Sequence, residues 1–120
     1  MKTLTLSLKK QWFDKIKSGE KKEEYRELSK YWRKRLVDEI SLVREFYSTK
    51  DSKLTCGEFV KKHIRKFDKL VFTLGYPKAG DTERRLCFKN PRIRIGTGRP
   101  EWGAEPGKQY FVITCGDRVE

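Results

Sequence analysis

Apolar and polar residues alternate at the start of the chain, over residues 2–8, so that three leucines fall on one side. This alternation predicts a β-strand with one buried face. Residues 9–18 place an aromatic and apolar side, which includes Trp12, opposite a charged side, and this pattern predicts a short amphipathic helix that faces the core. Gly19 follows at the position where a glycine commonly ends a helix.

The middle of the chain predicts a further strand and two helices. Residues 21–27 are charged apart from one tyrosine, and their place between a glycine and a new helix favours a strand that points charges into a cleft. Apolar residues at helical spacing predict one helix over residues 30–48, with Ser29 as its N-cap. Residues 55–58 have the spacing of a capping box and predict a third helix that ends near Lys66.

The second half of the chain is rich in β-branched and aromatic residues, with glycine and proline between the apolar runs. The strands predicted there are residues 70–74, residues 84–89, the alternating segment around Ile93 and Ile95, and residues 108–115, the last apolar enough to be central. The predicted order is β-α-β-α-α-β-β-β-β. It indicates an α+β fold, a small and mostly antiparallel barrel or strongly curved sheet of five or six strands, packed by about three helices.

Length and composition fit one domain over residues 1–120. The 120 residues are 36% hydrophobic and include three tryptophans, five tyrosines and seven phenylalanines. These large side chains suffice for one core, while the chain is too short for two. The same aromatics argue against disorder, because disordered chains are poor in them.

Charge is the strongest compositional feature, with 29 Lys and Arg against 17 Asp and Glu and a net charge of +12. Such a chain attracts polyanions, nucleic acid first, because neutralising phosphates releases counterions. Two alternatives stay open here: an acidic membrane surface, and a charge that only maintains solubility. Membrane binding needs an exposed apolar helix face, and the core needs the apolar faces predicted here, so we expect no membrane partner.

Cysteine and histidine content limits metal and redox chemistry. Cys56, Cys87 and Cys115 are far apart, odd in number and form no CxxC pair, which is typical of buried thiols in a reducing, cytoplasmic compartment. Together with His63 they match no zinc spacing, so we expect no metal and no cofactor. The first residues lack the apolar region of a signal peptide, and no run approaches the roughly 20 apolar residues of a membrane span.

The strongest candidate for chemistry is the charged segment over residues 18–27. In a strand, Glu24 and Arg26 share one face, and Gly19 permits a sharp turn that aims Lys21 at the same cleft. A lysine or arginine there would engage a phosphate or a carbonyl, and a carboxylate would accept from an exocyclic amine or a sugar hydroxyl. A solvated run of mutually paired charges is the alternative interpretation.

The same segment reads G-x-K-x-x-E-x-R, with Gly19, Lys21, Glu24 and Arg26 at the fixed positions after a strand and a short helix. In this it resembles the ASCH domain family, a branch of the PUA-like superfold. The resemblance implies a PUA-like β-barrel with a cleft lined by Lys21, Glu24 and Arg26, and with Gly19 shaping its entry. Family members are proposed to bind RNA in that cleft.

The resemblance extends over most of the chain. Residues 93–103 and the apolar strand at residues 110–113 look like the C-terminal half of small stand-alone family members. Residues 36–66, with two predicted helices, are longer than the minimal family pattern and are interpreted as a helical insertion.

An enzymatic alternative also follows from the resemblance, because some small bacterial members hydrolyse N4-acylcytidines. Those members use the motif lysine as base, a threonine three residues later as nucleophile, and a separate glutamate. Here Lys21 keeps the lysine, but Glu24 stands at the threonine position, and neither Thr73 nor Thr97 can be assigned that role from the sequence. The enzymatic hypothesis is therefore that Glu24 activates water while Lys21 polarises a carbonyl.

Further candidates lie outside the motif. Trp102, in a glycine-rich loop, either stacks on a base or closes the core. One set of cations is predicted to follow a nucleic-acid backbone: Lys61, Lys62, Arg65, Lys66, Arg92, Arg94 and Arg99. The leading hypothesis is an RNA- or nucleotide-binding protein, with an amidohydrolase of acylated cytidine-type nucleosides second and a basic adaptor for an acidic protein third.

Overall fold

Residues 2–48 and 60–119 are described by the computed structural model, and they form the α+β fold that the sequence predicts. The strands are β1 (Thr3–Leu8), β2 (Glu23–Glu27), β3 (Lys69–Leu74), β4 (Arg85–Lys89), β5 (Arg92–Thr97), β6 (Gln109–Thr114) and β7 (Asp117–Val119). The helices are α1 (Lys10–Lys17), α2 (Lys30–Leu36) and α3 (Glu39–Ser48), with a short 3-10 helix at Pro100–Trp102.

These strands pair in two separate sheets. The first has the order β1-β3-β4-β7, with β1 and β3 parallel and the other neighbours antiparallel. The second is fully antiparallel, with β6 between β2 and β5. The mostly antiparallel arrangement is therefore confirmed, whereas the ladders of the described residues do not close into a barrel, and these residues form seven strands rather than five or six.

The main core lies between the first sheet, α1 and the inner face of the second sheet. The alternation in β1 buries Leu4, Leu6 and Leu8, as its pattern predicts. Phe111 and Ile113 enter this core from β6, the central strand of the second sheet, and are completely buried. Because each such side chain gains about 1.5–3 kcal/mol on burial, the shared core holds the two sheets against each other.

A smaller apolar cluster covers the outer face of the second sheet. Tyr25 of β2 and Tyr110 and Val112 of β6 pack there with Ala104 and Trp102, which come from the loop between β5 and β6. The rings of the two tyrosines have their centres 5.7 Å apart. This packing brings the loop against β2, where the candidate residues lie.

The predicted helix over residues 30–48 is wrong in one respect, because α2 and α3 are separate helices with a break at Val37. Val37 has extended backbone, with φ −122°, and forms an antiparallel bridge to Ile64. Asp38 then starts the next helix, since its carboxylate accepts from the N–H of Ser41 at 3.2 Å. The helical spacing of apolar residues cannot reveal this break, because Ile64, the bridge partner of Val37, is distant in sequence.

Part of the predicted third helix, including its capping box at residues 55–58 and Cys56, lies outside the described residues. Residues 60–62 are helical, and the helix ends at Lys62 rather than near Lys66. Beyond it the N–H of Arg65 donates to the carbonyl of Leu36 at 2.8 Å. The segment after the helix is thus hydrogen-bonded to the end of α2 and does not continue as helix.

Arg26 joins the two sheets where their edges meet. β1 is an edge strand of the first sheet and β2 an edge strand of the second. The Arg26 guanidinium donates to the carbonyl of Tyr25 at 3.0 Å and to the carbonyl of Ser7 at 3.1 Å. A side chain therefore connects strands that belong to different sheets.

Candidate functional site

The site begins with the tight turn after α1. Gly19 has φ +84°, in the left-handed region that favours glycine, and its N–H donates to the carbonyl of Ile16. The chain then turns so that the N–H of Lys21 reaches the carbonyl of Lys15 at 3.0 Å. Gly19 thus shapes the approach to β2.

Lys21 and Glu24 form a buried ion pair at the start of β2. Lys21 Nζ lies 3.2 Å from Glu24 Oε1, and the two residues are only 2% and 5% exposed. The ammonium also lies 4.3 Å from the centre of the Trp12 ring. Burial lowers the pKa of Lys21, and the adjacent Glu24 carboxylate opposes that effect.

The two oxygens of the Glu24 carboxylate have different surroundings. Oε1 accepts from Lys21 and from the N–H of Tyr25 at 2.9 Å, and it lies 3.5 Å from the Arg26 guanidinium. Oε2 is buried and has no hydrogen-bond partner among the described residues. An unpartnered buried acceptor costs about 1–3 kcal/mol, so a donor from a bound molecule would be favoured at this oxygen.

Arg26 completes the polar cluster. Its side chain is mostly buried, with its guanidinium carbon 5.3 Å from the centre of the Trp32 ring. A guanidinium has five N–H donors, and the carbonyls of Tyr25 and Ser7 take bonds from two of its nitrogens. Arg26 is therefore held in place from three sides beside Glu24.

A cavity of about 340 Å³ opens next to this cluster. Four aromatic side chains, Trp12, Tyr25, Trp102 and Tyr110, make up much of its wall. The other lining residues are Ser7, Leu8, Lys9, Glu24, Arg26 and Gly103. This volume is at the lower end of the roughly 300–1,000 Å³ typical of small-molecule sites. The structure thus combines stacking surfaces with one acid and one guanidinium in a single recess, named here the aromatic cavity.

Two glycines let the loop between β5 and β6 approach the aromatic cavity. Gly103 has φ +100°, and a Cβ there would lie 2.9 Å from the Trp12 ring. A Cβ on Gly98 would lie 2.5 Å from the Tyr25 ring. Real Cβ atoms do not come this close, so larger residues would push the loop away from the wall of the cavity.

The hydroxyl of Tyr25 connects β2 to the loop between β5 and β6. It donates to Glu23 Oε1 at 2.9 Å and accepts from the N–H of Arg99 at 2.9 Å. Glu23 also pairs with Arg94 at 3.3 Å. Burial, more than any other cause, raises the pKa of Tyr25 to about 12, so the phenol remains a donor across the physiological range.

The structure brings the residues of the G-x-K-x-x-E-x-R segment together. Glu24 and Arg26 line the aromatic cavity with Trp102, and Lys21 lies directly behind Glu24. Gly19 does not line the cavity and acts through the turn alone.

The predicted backbone cations do not form one stripe. A second cavity, a groove of about 570 Å³ named here the basic groove, has five of them in its lining: Lys61, Lys62, Arg65, Lys66 and Arg92. Arg94 pairs with Glu23 instead. Arg99 lies 4.8 Å from the centre of the Trp102 ring and 3.6 Å from Glu101.

Sequence reasoning misses Trp12 and Tyr110 as cavity residues. The helical pattern places Trp12 on the core side of α1 with Phe13 and Ile16, yet only the latter two are buried. Trp12 is partly exposed and lines the aromatic cavity. It lies four residues before Ile16, on the same side of α1, and Ile16 lies about one turn before Gly19. This spacing is the signal that could have placed Trp12 near the cavity. Tyr110 has no such signal, because it lies in an apolar run that predicts a central strand with every side chain in the core.

Three further features of the described residues concern metal ligands, membrane-spanning helices and the Cys115 thiol. Over residues 2–48 and 60–119, no group of three or more His, Cys, Asp or Glu could hold a metal ion, and no helix has the length and apolar character to cross a bilayer. Burial, with a contribution from the charge of Glu24, raises the pKa of Cys115 to about 12. This thiol therefore stays protonated and is a poor nucleophile.

In comparisons with known proteins, no family model, no curated protein and no solved structure matches this chain.

Proposed function

We propose that this chain binds RNA or a nucleotide by holding one base in the aromatic cavity, and that it is a small ASCH-type domain with a PUA-like arrangement of its two sheets. The observation that carries the proposal is that Glu24, whose buried Oε2 has no hydrogen-bond partner among the described residues, lines a cavity together with four aromatic side chains. The family resemblance is supported by the convergence of Lys21, Glu24 and Arg26 at this one place.

The aromatic lining supplies binding energy without choosing a sequence. A base stacked on a protein aromatic ring gains about 1–3 kcal/mol, whichever base it is. Trp12 and Trp102 come from α1 and from the loop between β5 and β6, so a planar ligand would contact two elements that are distant in sequence. A cavity of about 340 Å³ accommodates a ligand of nucleoside size but excludes a duplex.

The polar lining supplies orientation. Glu24 Oε2 would accept from an N–H group on the edge of the base, while Arg26 would donate to a ring nitrogen, a carbonyl or a phosphate. Lys21 has a supporting role, because its ammonium at 3.2 Å balances the charge of Glu24 from behind. This pairing uses Oε1 of Glu24 and leaves Oε2 as the acceptor for a ligand.

The cytoplasm is the compartment that we propose for this activity. Within the described part of the chain, Cys87 and Cys115 form no disulfide, which suits a reducing environment. A mass-spectrometric count of free thiols in protein purified from its own cell would test this, and a disulfide involving either residue would contradict it.

Tryptophan fluorescence tests base binding directly. We expect the nucleoside monophosphates or a short RNA to quench the emission in a saturable way, since two tryptophans line the cavity. Glu24→Gln keeps the shape but puts an amide where the carboxylate accepts, so binding should weaken by at least about tenfold, or 1.4 kcal/mol. The matched control is Glu101→Gln, an exposed acid near Trp102 that does not line the cavity.

Two results would contradict the proposal. One is the absence of saturable quenching with any nucleotide or RNA at millimolar concentration. The other is equal affinity of the wild-type protein and Glu24→Gln, because the unpartnered oxygen would then have no part in binding.

A second candidate, hydrolysis of an N4-acylcytidine, is favoured by one observation, the lowered pKa of Lys21 next to Glu24. Glu24 would take a proton from water as the water attacks the acyl carbonyl, and it would return that proton to the exocyclic nitrogen as the C–N bond breaks, which gives the free acid and the amine. Lys21 does not line the cavity, so its positive charge would stabilise the negative charge on the carbonyl oxygen from behind Glu24 rather than by direct contact. Thr73 and Thr97 do not line the cavity, so the proposed step uses water rather than a threonine nucleophile.

Incubation with N4-acetylcytidine tests the second candidate. Cytidine and acetate should appear with the wild-type protein and disappear in Lys21→Ala and Glu24→Gln. Lys22→Ala serves as the control, since Lys22 is exposed and adjacent in sequence. A lack of product after long incubation at high protein concentration would rule out hydrolysis and leave binding untouched.

A further inference from the structure

The basic groove is a second site, separate from the aromatic cavity, and the two share no lining residue. One wall follows the helical residues 61–62 and the segment after them at residues 64–68, and the other is the turn after β4 with the start of β5, at residues 90–93. The N–H of Asn90 donates to the carbonyl of Asp68 at 2.9 Å, which fixes the two walls to each other. The groove is therefore part of the folded framework.

The charge of the basic groove is almost entirely positive. Lys61, Lys66 and Arg92 are exposed, and within the described part of the chain no carboxylate pairs with them. The one acid in the lining, Asp68, accepts from the backbone N–H of Lys2 at 2.8 Å. Cations without an acid partner among residues 2–48 and 60–119 are suited to an anionic partner with repeated charges.

The position of the groove relates it to the aromatic cavity. Arg92 lies at the start of β5, and the loop that follows β5 at Thr97 carries Trp102 of the cavity. The six residues of β5, which separate Arg92 from that loop, span about 17–20 Å. Arg94 is exposed on the same side of the strand as Arg92 and lies between the two sites.

We propose that the basic groove binds the phosphate backbone of the same single-stranded RNA whose base occupies the aromatic cavity, with β5 as the path between them. This rests on the proposed function and deepens it. A single strand is required because only unstacked bases can enter such a cavity. An anionic membrane suits the groove less well, because its apolar residues Ile64, Phe67 and Ile93 are partly buried and present no continuous face for insertion.

The consequence is a dependence on ligand length. A mononucleotide reaches only the aromatic cavity, whereas an RNA of about 12 nucleotides, within the site sizes known for single-strand binders, reaches both places. Each phosphate contact adds about 0.7 to the slope of log affinity against log salt for a single strand. Loss of two contacts should lower that slope by about 1.4. The factor by which affinity falls between about 50 and 200 mM salt should then be roughly sevenfold smaller than for the wild type.

The test compares a labelled single-stranded RNA of about 12 nucleotides with a mononucleotide. Lys66→Glu/Arg92→Glu reverses two groove charges, and Lys66→Gln/Arg92→Gln is a milder pair in case the first disturbs folding. The matched control is Lys17→Glu/Lys78→Glu, which makes the same change in net charge at exposed residues outside both sites. We expect the groove variants to weaken RNA binding at least tenfold at low salt, to lower the salt slope, and to bind the mononucleotide as the wild type does.

The outcomes separate the groove from the cavity. If the groove variants bind the RNA with the wild-type affinity and salt slope, the groove proposal is wrong even when base binding stands. If they weaken the RNA while Glu24→Gln does not, the groove is supported and the base site is refuted. Equal loss in the Lys17/Lys78 control, or binding of phosphatidylserine vesicles that depends on the groove while no RNA binds, would overturn the groove proposal.

Discussion

Replacing Lys21 with methionine should destabilise the protein strongly, because it leaves the acid of a buried ion pair without its main partner. At 3.2 Å and an effective dielectric of about 20, the Lys21–Glu24 attraction is roughly 5 kcal/mol, of which desolvation cancels most. Breaking a buried pair on one side typically costs about 3–5 kcal/mol. Arg26 at 3.5 Å and the N–H of Tyr25 still hold Glu24, so we expect a loss near 3 kcal/mol.

Removing both charges should restore most of that stability. In Lys21→Met/Glu24→Gln, the methionine keeps an apolar contact with the Trp12 ring, and the glutamine still offers an oxygen to the N–H of Tyr25. Replacing a buried ion pair by neutral groups of similar size is often close to neutral. The double variant should therefore lie within about 1 kcal/mol of the wild type, and it should be about 2 kcal/mol more stable than Lys21→Met.

Urea unfolding at neutral pH, followed by circular dichroism and extrapolated linearly, measures these free energies. Lys22→Met is the control, because Lys22 is exposed and its replacement should change stability by less than about 0.5 kcal/mol. A loss below about 1 kcal/mol for Lys21→Met would refute the reasoning, as would a double variant no more stable than the single one.

Further predictions concern pH, backbone geometry and helix capping. The unfolding free energy should fall as pH rises above 9.0, since the Cys115 thiol keeps its proton up to about 12 only in the folded state; Cys115→Ala should flatten this fall in urea titrations at a series of pH values. Gly103→Ala should cost about 1–3 kcal/mol and alter the near-ultraviolet circular dichroism of Trp12, whereas Gly107→Ala, also at positive φ but with open space around it, should leave that spectrum unchanged. Ser29→Ala should cost about 1 kcal/mol through the lost N-cap of α2, measurable by thermal unfolding.

Local patterns in the sequence predict much of this fold. The alternation in β1, the glycine turn at Gly19 and the cap at Ser29 are each decided by residues a few positions apart. The division into two sheets and the break at Val37 depend on partners distant in sequence, such as Ile64. β7 is short and largely polar, so it exists through its pairing with β4 rather than through its own pattern.

The candidate site divides in the same way. Lys21, Glu24 and Arg26 are close in sequence, so a turn and a strand suffice to predict that they meet. Trp12 and Trp102 reach the cavity only through the packing of α1 and of the loop after β5, which a linear pattern does not specify. The buried and unpartnered oxygen of Glu24 is likewise a result of three-dimensional packing.

The bonds that Glu24 and Arg26 make to the backbone of Tyr25 also bear on self-association. β2 is an edge strand, and such strands offer free N–H and C=O groups on which another chain can build a sheet. Glu24 already accepts from the N–H of Tyr25, and Arg26 already donates to its carbonyl. The residues that make the aromatic cavity polar therefore also occupy the backbone groups of Tyr25 that a further strand would use for pairing.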